Sequence, residues 1–203
     1  MNQNPETITR KTYDKIAKQF ARNTATIDAN LSLRMERFVH HLQNNEPILD
    51  LGCGPGRDLY WFTQHSIRGI GSDLSFQMLR EVQQIIATTT LAQADMRHLP
   101  FVNTCFGGIW CNAALIHIPK TNIQPALNEI KRILVPGGAF FVSLQEGSGE
   151  MMERYQYLGK KRFFARYTMQ EMCENLEKTG FSILHKETYM HKCKWLWFEC
   201  VLD

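Results

Sequence analysis

Apolar positions along the chain follow helical spacing near the amino terminus and form short runs afterwards. Two early stretches repeat with the period of a helix: Tyr13, Ile16, Ala17 and Phe20, then Met35, Phe38, Val39 and Leu42. Further helices are predicted over 57–65, from Ser75 to about residue 87, and over 123–134 and 168–179. Strands are predicted from Pro47 onward and over 67–72, 91–94, 108–112, 139–144, 182–189 and 194–202.

This alternation of strands and helices predicts an α/β fold with a parallel sheet and right-handed crossovers. The last two strands are separated by a short connection and should pair antiparallel. A single domain is expected over 1–203, with helices over 1–45 capping the site, a ligand-binding core over 46–144, and a helix and hairpin over 168–203. The stretch 145–167 has no regular pattern and is rich in glycine, aromatic and basic residues, so we expect a cover loop there.

A glycine-rich loop follows the first predicted strand. Glycine occupies every second position at Gly52, Gly54 and Gly56, where the backbone could approach a ligand closely. The spacing is not the dinucleotide pattern, because Arg57 stands at the third fingerprint position. Asp50 ends the strand and would repel a phosphate but favour a cation. The loop therefore predicts a cationic, phosphate-free nucleoside such as S-adenosylmethionine, with a plain turn as the alternative.

Five segments in order resemble the class I S-adenosylmethionine-dependent methyltransferases. The sequence Asp-Leu-Gly-Cys-Gly-Pro-Gly over 50–56 is similar to the first motif of that family, and the others lie over 69–75, 94–101, 106–113 and 134–138. The resemblance implies a Rossmann-like, seven-stranded, mostly parallel sheet with helices on both faces. Its strand order would be 3-2-1-4-5-7-6, with strand 7 antiparallel.

Acidic residues after the next strands complete the predicted cofactor site. Asp73 ends the second strand, where a carboxylate accepts hydrogen bonds from ribose hydroxyls; a helix cap is the alternative. The resemblance assigns the adenine amino group to Asp95, a turn residue otherwise, with Met96 and Leu74 beside the ring. It also brings the glycine loop and the end of strand four close to the methionine part of S-adenosylmethionine, through Gly52, Cys53, Gly54, Gly56, Cys111 and Asn112.

His117 follows the fourth strand and is the candidate catalytic base, because an imidazole titrates near neutral pH. A histidine bonded to the loop backbone is the alternative. Weaker candidates for substrate contact are Tyr13, Tyr155, Arg162 and Arg166, for which packed aromatics or solvated charges are the alternatives. No metal-ligand cluster is evident in the sequence.

Composition limits the remaining function classes. The six cysteines form no C-x-x-C pair, which favours a reducing, cytoplasmic setting, and the net charge of +3 does not imply nucleic acid. The polar first residues predict no signal peptide, and no apolar run is long enough for a membrane span. We therefore expect a monomer or homodimer that transfers a methyl group to an oxygen or nitrogen of a small molecule and releases S-adenosylhomocysteine. The alternatives are a methyltransferase acting on RNA or protein through the basic cover loop and a catalytically inactive cofactor-binding subunit.

Overall fold

A computed structural model describes residues 4–42, 46–154 and 160–203 of the chain. Two amino-terminal helices come first, α1 (Pro5–Asn23) and α2 (Ala29–His40). Side-chain caps fix where they begin: Asn4 accepts from the Glu6 N–H, and Asp28 accepts from the Leu31 N–H. The structure thus has helices where the apolar spacing predicts them.

A seven-stranded sheet forms the centre of the molecule, in the order β3-β2-β1-β4-β5-β9-β8. Its strands are β1 (Ile48–Leu51), β2 (Gly69–Asp73), β3 (Thr90–Gln93), β4 (Phe106–Asn112), β5 (Leu134–Gln145), β8 (Phe181–Met190) and β9 (Lys194–Leu202). The first five are parallel, and β9 pairs antiparallel with both of its neighbours. The predicted order and the antiparallel last strand are confirmed, since β8 and β9 are strands 6 and 7 of the family numbering.

The connecting helices are α3 (Arg57–Gln64), α4 (Phe76–Ile85), α5 (Ile123–Ile133) and α6 (Met169–Thr179). Ser75 caps α4 by accepting from the Met78 N–H, and Thr168 caps α6 by accepting from the Glu171 N–H. Gly180 ends α6 with a left-handed conformation, as is usual for glycine after a helix. The helix boundaries lie within about two residues of those predicted.

The prediction of an irregular cover loop over 145–167 is wrong for the described part of that stretch. β5 continues to Gln145, and two further strands, β6 (Glu150–Arg154) and β7 (Lys161–Ala165), pair antiparallel as a separate two-stranded sheet. Two bonds to α1 add to the pairing within this β6–β7 sheet: Thr12 donates to the Lys161 carbonyl, and the Thr9 hydroxyl accepts from the Phe163 N–H. Tyr155 lies outside the described residues.

Apolar side chains fill both faces of the central sheet. On one face, Trp110 of β4 stacks on Phe141 of β5 at 3.7 Å between ring centroids, against α2 and α3. The alternate residues Ile109 and Cys111 point to the other face, where α5 and α6 pack. Burial on both faces holds the central sheet in position. The carboxyl ends of β1, β2 and β4 lie side by side at one edge of that sheet. Among the described helices, none combines the length and apolar character needed to cross a membrane.

Candidate active site

A cavity of about 690 Å³ lies at the carboxyl ends of the parallel strands, between that edge, α1 and the β6–β7 sheet. Small-molecule sites commonly have volumes of roughly 300–1,000 Å³. The cavity gathers most of the residues singled out from the sequence: Tyr13, Asp50, Gly52, Cys53, Gly54, Asp73, Leu74, Asp95, Met96, Asn112, His117 and Arg162. Residues far apart in the sequence thus converge on one space.

The glycine loop forms the floor of this cavity. Gly52 has a φ of +74°, and a Cβ there would lie 2.3 Å from the Ala114 Cβ. Gly54 has a φ of +53°, yet a Cβ there would enter open space. Gly52 therefore serves packing, whereas Gly54 leaves room beside the loop. Gly56 does not line the cavity, because it turns the chain into α3 and packs against Val82.

Asp50 brings a carboxylate without a full set of partners into the cavity wall. It is only 2% exposed, and its Oδ2 atom has no hydrogen-bond partner among the described residues. Burial raises the pKa of Asp50 well above its usual value, and the neighbouring charge of Asp58 raises it further. A cation placed beside Asp50 would offset both effects.

The neighbouring Asp58 is, by contrast, fully engaged. It accepts hydrogen bonds from the Trp110 Nε1–H and the Asn112 Nδ2–H, each at 2.9 Å, and from the Arg57 Nε–H at 2.6 Å. Burial alone would raise the pKa of Asp58, but Arg57 and the other donors hold it below its usual value. Asp58 thus keeps its negative charge and fixes Asn112 at the end of β4.

Asp73 connects the glycine loop to the start of α4. One carboxylate oxygen accepts from the Gly54 N–H at 3.0 Å, and the other accepts from the Ser75 N–H at 2.7 Å. Burial raises the pKa of Asp73 to about 6, against the lowering effect of these bonds. Asp14 of α1 contributes to the increase and itself accepts from the Ser75 hydroxyl at 2.7 Å.

Asp95 is also held by a partner that the sequence analysis did not consider. Arg97 chelates both of its oxygens, with Nη2 2.6 Å from Oδ2, and reaches Glu6 of α1 at 2.7 Å. Hydrogen bonds from Arg97 therefore hold the pKa of Asp95 low against the effect of burial. Any contact of Asp95 with a ligand would add to this ion pair, and Met96 lines the cavity next to it.

Besides Gly56, two further predicted site residues lie away from the cavity. Cys111 is fully buried in the sheet, so only its backbone is available for the predicted contact near the end of β4. Arg166 does not reach the cavity, because its side chain pairs with Glu153 of β6. The structure thus corrects the expectation that Arg166 contacts substrate.

His117 lies at the opposite wall in a directional hydrogen-bond chain. Its Nδ1 is 2.6 Å from the Phe163 carbonyl oxygen, and its Nε2 is 2.8 Å from the Tyr13 hydroxyl. The Tyr13 oxygen accepts from the Arg162 Nη1–H at 2.9 Å. Burial lowers the pKa of His117 to about 4, so the imidazole is neutral at physiological pH.

The sequence analysis missed an aromatic and basic corner of the cavity formed by α2, β8 and β9. The Arg34 guanidinium lies 3.9 Å from the Trp197 ring centroid and pairs with Glu187 at 2.8 Å. The Trp197 Nε1–H is buried with no partner among the described residues. A signal was present: Arg34 falls on the buried face of the amphipathic helix α2, where a charge is unusual.

The sheet order and the glycine-loop cavity define a Rossmann-like ligand-binding domain, and comparisons with known proteins make it more specific. Residues 48–138 match the family model described as a methyltransferase domain. The malonyl-[acyl-carrier protein] O-methyltransferase of Erwinia pyrifoliae is 29% identical over 80% of this chain. The chain spans only 63% of that relative's length.

Solved structures show the same fold. The 1,6-didemethyltoxoflavin N1-methyltransferase of Burkholderia thailandensis, with S-adenosylhomocysteine bound, has a TM-score of 0.78 at 20% identity. The superposition covers all of this chain and 92% of the Burkholderia protein. A methyltransferase from Clostridium acetobutylicum has a TM-score of 0.74 at 16% identity, covering 95% of this chain and 99% of its own. The methyltransferase-domain match over residues 48–138 and the shared fold confirm the recognition made from the motifs, a class I S-adenosylmethionine-dependent methyltransferase domain.

Proposed function

We propose that this protein transfers the methyl group of S-adenosylmethionine to an oxygen or nitrogen atom of a small molecule. The observation that carries the proposal is the buried, incompletely paired carboxylate of Asp50 beside the open space at Gly54. A cationic, phosphate-free nucleoside matches this combination of charge and shape. The donor, when bound, supplies an activated methyl carbon, and the protein aligns the acceptor and excludes water.

The cofactor half of the cavity has the features that such a nucleoside needs. Asp73 retains lone pairs for ribose hydroxyls beyond the two backbone bonds it already accepts. Leu74 and Met96 offer apolar surface for the adenine, and Asp95 lies next to Met96. Asp50 is the carboxylate available to the cationic groups, because Asp58 is already paired with Arg57.

The acceptor half is lined by side chains suited to a small molecule. Phe20, Phe164 and Trp195 supply aromatic surface, while α1 and the β6–β7 sheet form walls. Two basic residues of the predicted cover loop are directed differently: Arg162 faces the cavity, whereas Arg166 pairs with Glu153. This division supports a small acceptor over RNA.

The relatives are named for both kinds of acceptor atom. One is a malonyl-[acyl-carrier protein] O-methyltransferase, and one structural neighbour is a 1,6-didemethyltoxoflavin N1-methyltransferase. The proposal therefore keeps oxygen and nitrogen as acceptor atoms. The cytoplasmic location, the single-domain organisation and the monomeric or homodimeric state stay predictions.

Calorimetry with S-adenosylmethionine and S-adenosylhomocysteine tests the cofactor half, and S-adenosylhomocysteine release tests transfer. The acceptor panel contains phenols, heterocycles with a ring N–H, malonyl and benzoyl carboxylates, and a short RNA. Saturable binding with turnover of a small acceptor is expected. Absence of binding at millimolar ligand would overturn the proposal, turnover of RNA alone would favour the alternative acceptor, and binding without any turnover would favour an inactive subunit.

Acidification should weaken S-adenosylmethionine binding below about pH 6. The pKa of Asp73 is raised to about 6 in the folded protein, so its carboxyl is protonated below that pH and accepts ribose hydrogen bonds less well. Calorimetric titrations between pH 8 and pH 5 measure the effect. The variant Asp73→Asn should bind weakly at pH 8 and lose less affinity between pH 8 and pH 5 than the wild type; a wild-type affinity that is constant over this range would contradict the assignment.

A further inference from the structure

The hydrogen-bond chain at His117 has a direction that is fixed by its two ends. A carbonyl oxygen only accepts, so the short contact with Phe163 requires a proton on His117 Nδ1. A neutral imidazole then has a lone pair at Nε2, and the Tyr13 hydroxyl must donate to it. At the other end, a guanidinium only donates, so the Tyr13 oxygen accepts from Arg162.

His117 is therefore separated from an acceptor by Tyr13. Both nitrogens of the imidazole are occupied, one by the Phe163 carbonyl and one by the Tyr13 hydroxyl. Ring contacts hold this arrangement: Tyr13 packs edge-on against His117 at 5.3 Å between centroids, and Phe164 packs edge-on from β7 at 4.9 Å. Tyr13 and Arg162 also line the cavity.

Three separate elements of the fold contribute to this hydrogen-bond chain, so the tertiary structure sets its arrangement of charge. Tyr13 comes from α1, His117 from a single helical turn after β4 (Leu115–His117), and Arg162 from β7. Tyr13 and Arg162 are the titratable groups that face His117 in the described part of the chain. The cation of Arg162 lies where it stabilises negative charge on the Tyr13 oxygen and disfavours a resting imidazolium.

We propose that Tyr13 takes the proton from the methyl acceptor and passes its own phenolic proton to His117 Nε2, so that the acceptor is a neutral hydroxyl or N–H group. This inference rests on the proposed methyl transfer and names the substrate class of that site. Tyr13 is the catalytic residue that touches the acceptor, and His117 acts through it as a positioning residue and transient proton acceptor.

The step balances in atoms and charge. The bond between acceptor and methyl carbon forms as the bond between that carbon and the sulfonium sulfur breaks, and the electron pair of the broken bond stays on sulfur. The acceptor proton moves to the Tyr13 oxygen while the Tyr13 proton moves to His117 Nε2, leaving a transient imidazolium. Its Nδ1–H stays bonded to the Phe163 carbonyl, and its Nε2–H donates to Tyr13 until the proton passes to water.

The decisive variant is Tyr13→Phe, which keeps the ring contacts and removes only the hydroxyl. We expect the single-turnover rate with a phenol or N–H acceptor from the panel to fall by roughly 100-fold or more, the usual scale of general acid–base catalysis. Binding of S-adenosylmethionine should change less than about threefold. The loss of rate should become smaller as the pH rises toward the acceptor's own pKa, because an ionised acceptor needs no base. Tyr60→Phe, at an exposed position of α3, is the matched control.

His117→Gln separates proton transfer from positioning. The glutamine side-chain oxygen can still accept from Tyr13 but does not take up a proton at neutral pH, so the rate should fall as far as in Tyr13→Phe. The double variant should be little slower than either single variant, because the two groups act as one unit. Near-wild-type rates in His117→Gln would overturn the relay, and His65→Gln on the protein surface controls for the substitution itself.

A measurement without any acceptor tests the same geometry. Long-range ¹⁵N NMR of the wild-type protein with S-adenosylhomocysteine should show His117 as the Nδ1–H tautomer, and Tyr13→Phe should shift Nε2 while Nδ1 stays protonated. A proton on Nε2, or wild-type turnover confined to carboxylate acceptors, would overturn the relay while leaving the proposed methyl transfer intact. Failure of the wild-type protein to bind the cofactor would instead count against the proposed function.

Discussion

Asp50→Asn should lose S-adenosylmethionine affinity by about 100-fold or more and yet unfold at a higher temperature than the wild type. The side chain is buried, and its Oδ2 has no partner among the described residues. Removing one member of a buried charge pair costs about 3–5 kcal/mol, which sets the expected loss of binding. The amide has nearly the same shape, so the cavity itself should be unchanged.

The same substitution should weaken cofactor binding but stabilise the ligand-free fold, because both effects come from the buried charge of Asp50. Because burial and Asp58 raise the pKa of Asp50, folding favours its protonated form, and its charged form costs stability. Replacing it should add on the order of 1 kcal/mol to the free energy of unfolding, or about 2–4 °C in melting temperature. At acidic pH, protonation of Asp50 should bring the stability of the wild type closer to that of Asp50→Asn.

Calorimetry and thermal denaturation of the ligand-free protein measure the two effects on the same sample. Glu174→Gln, at an exposed position of α6, removes one negative charge without touching the cavity and should change neither quantity measurably. Wild-type affinity in Asp50→Asn would show that the cationic groups of the cofactor lie elsewhere.

Alanine at Gly52 and at Gly54 should separate packing from ligand contact. At Gly52 the new Cβ would lie 2.3 Å from Ala114 in a left-handed backbone, so both overpacking and strain apply. We expect roughly 2–4 kcal/mol less free energy of unfolding. At Gly54 the backbone is also left-handed, but the space is open, so the loss should be only about 1–2 kcal/mol.

The affinity for S-adenosylmethionine should separate the two variants in the opposite order to their stability. The Cβ of Gly54→Ala would enter the space assigned to the cofactor, so its affinity for S-adenosylmethionine should fall at least tenfold although the fold is retained. Chemical denaturation gives the stability and calorimetry gives the affinity. Gly149→Ala is the control, since it has a φ of +78° with open space beside it and lies outside the cavity. Equal affinity for Gly54→Ala and Gly149→Ala would contradict the assigned cofactor position.

Local patterns in the sequence were sufficient for most of the fold. Helix caps such as Ser75 and Thr168 use bonds to residues three positions away, and the buried run of β5 is visible directly. The β6–β7 sheet was missed because its strands lack a clear apolar–polar alternation and are stabilised by α1. There Thr12 donates to the Lys161 carbonyl at 2.7 Å, a contact that no local pattern indicates.

The same distinction explains what could be predicted of the site. The glycine loop, Asp50 and Asp73 lie next to strand ends, so topology alone places them at one edge of the sheet. The environment of His117 could not be inferred, since its partner Tyr13 is 104 residues away in the sequence. The ion pair of Asp95 with Arg97 was readable from the spacing, but its extension to Glu6 depends on the position of α1.

Helix α1 is a wall shared by the two halves of the cavity, which makes the amino terminus an unsuitable place for truncation. Its Asp14 is bonded to Ser75 beside the cofactor space, and its Thr9 hydroxyl accepts from the Phe163 N–H beside the acceptor space. Deleting the first 23 residues would leave every strand of the central sheet in place. The cavity of the shortened chain would be open to solvent on its working side, and its failure to turn over substrate would say nothing about the chemistry of the intact protein.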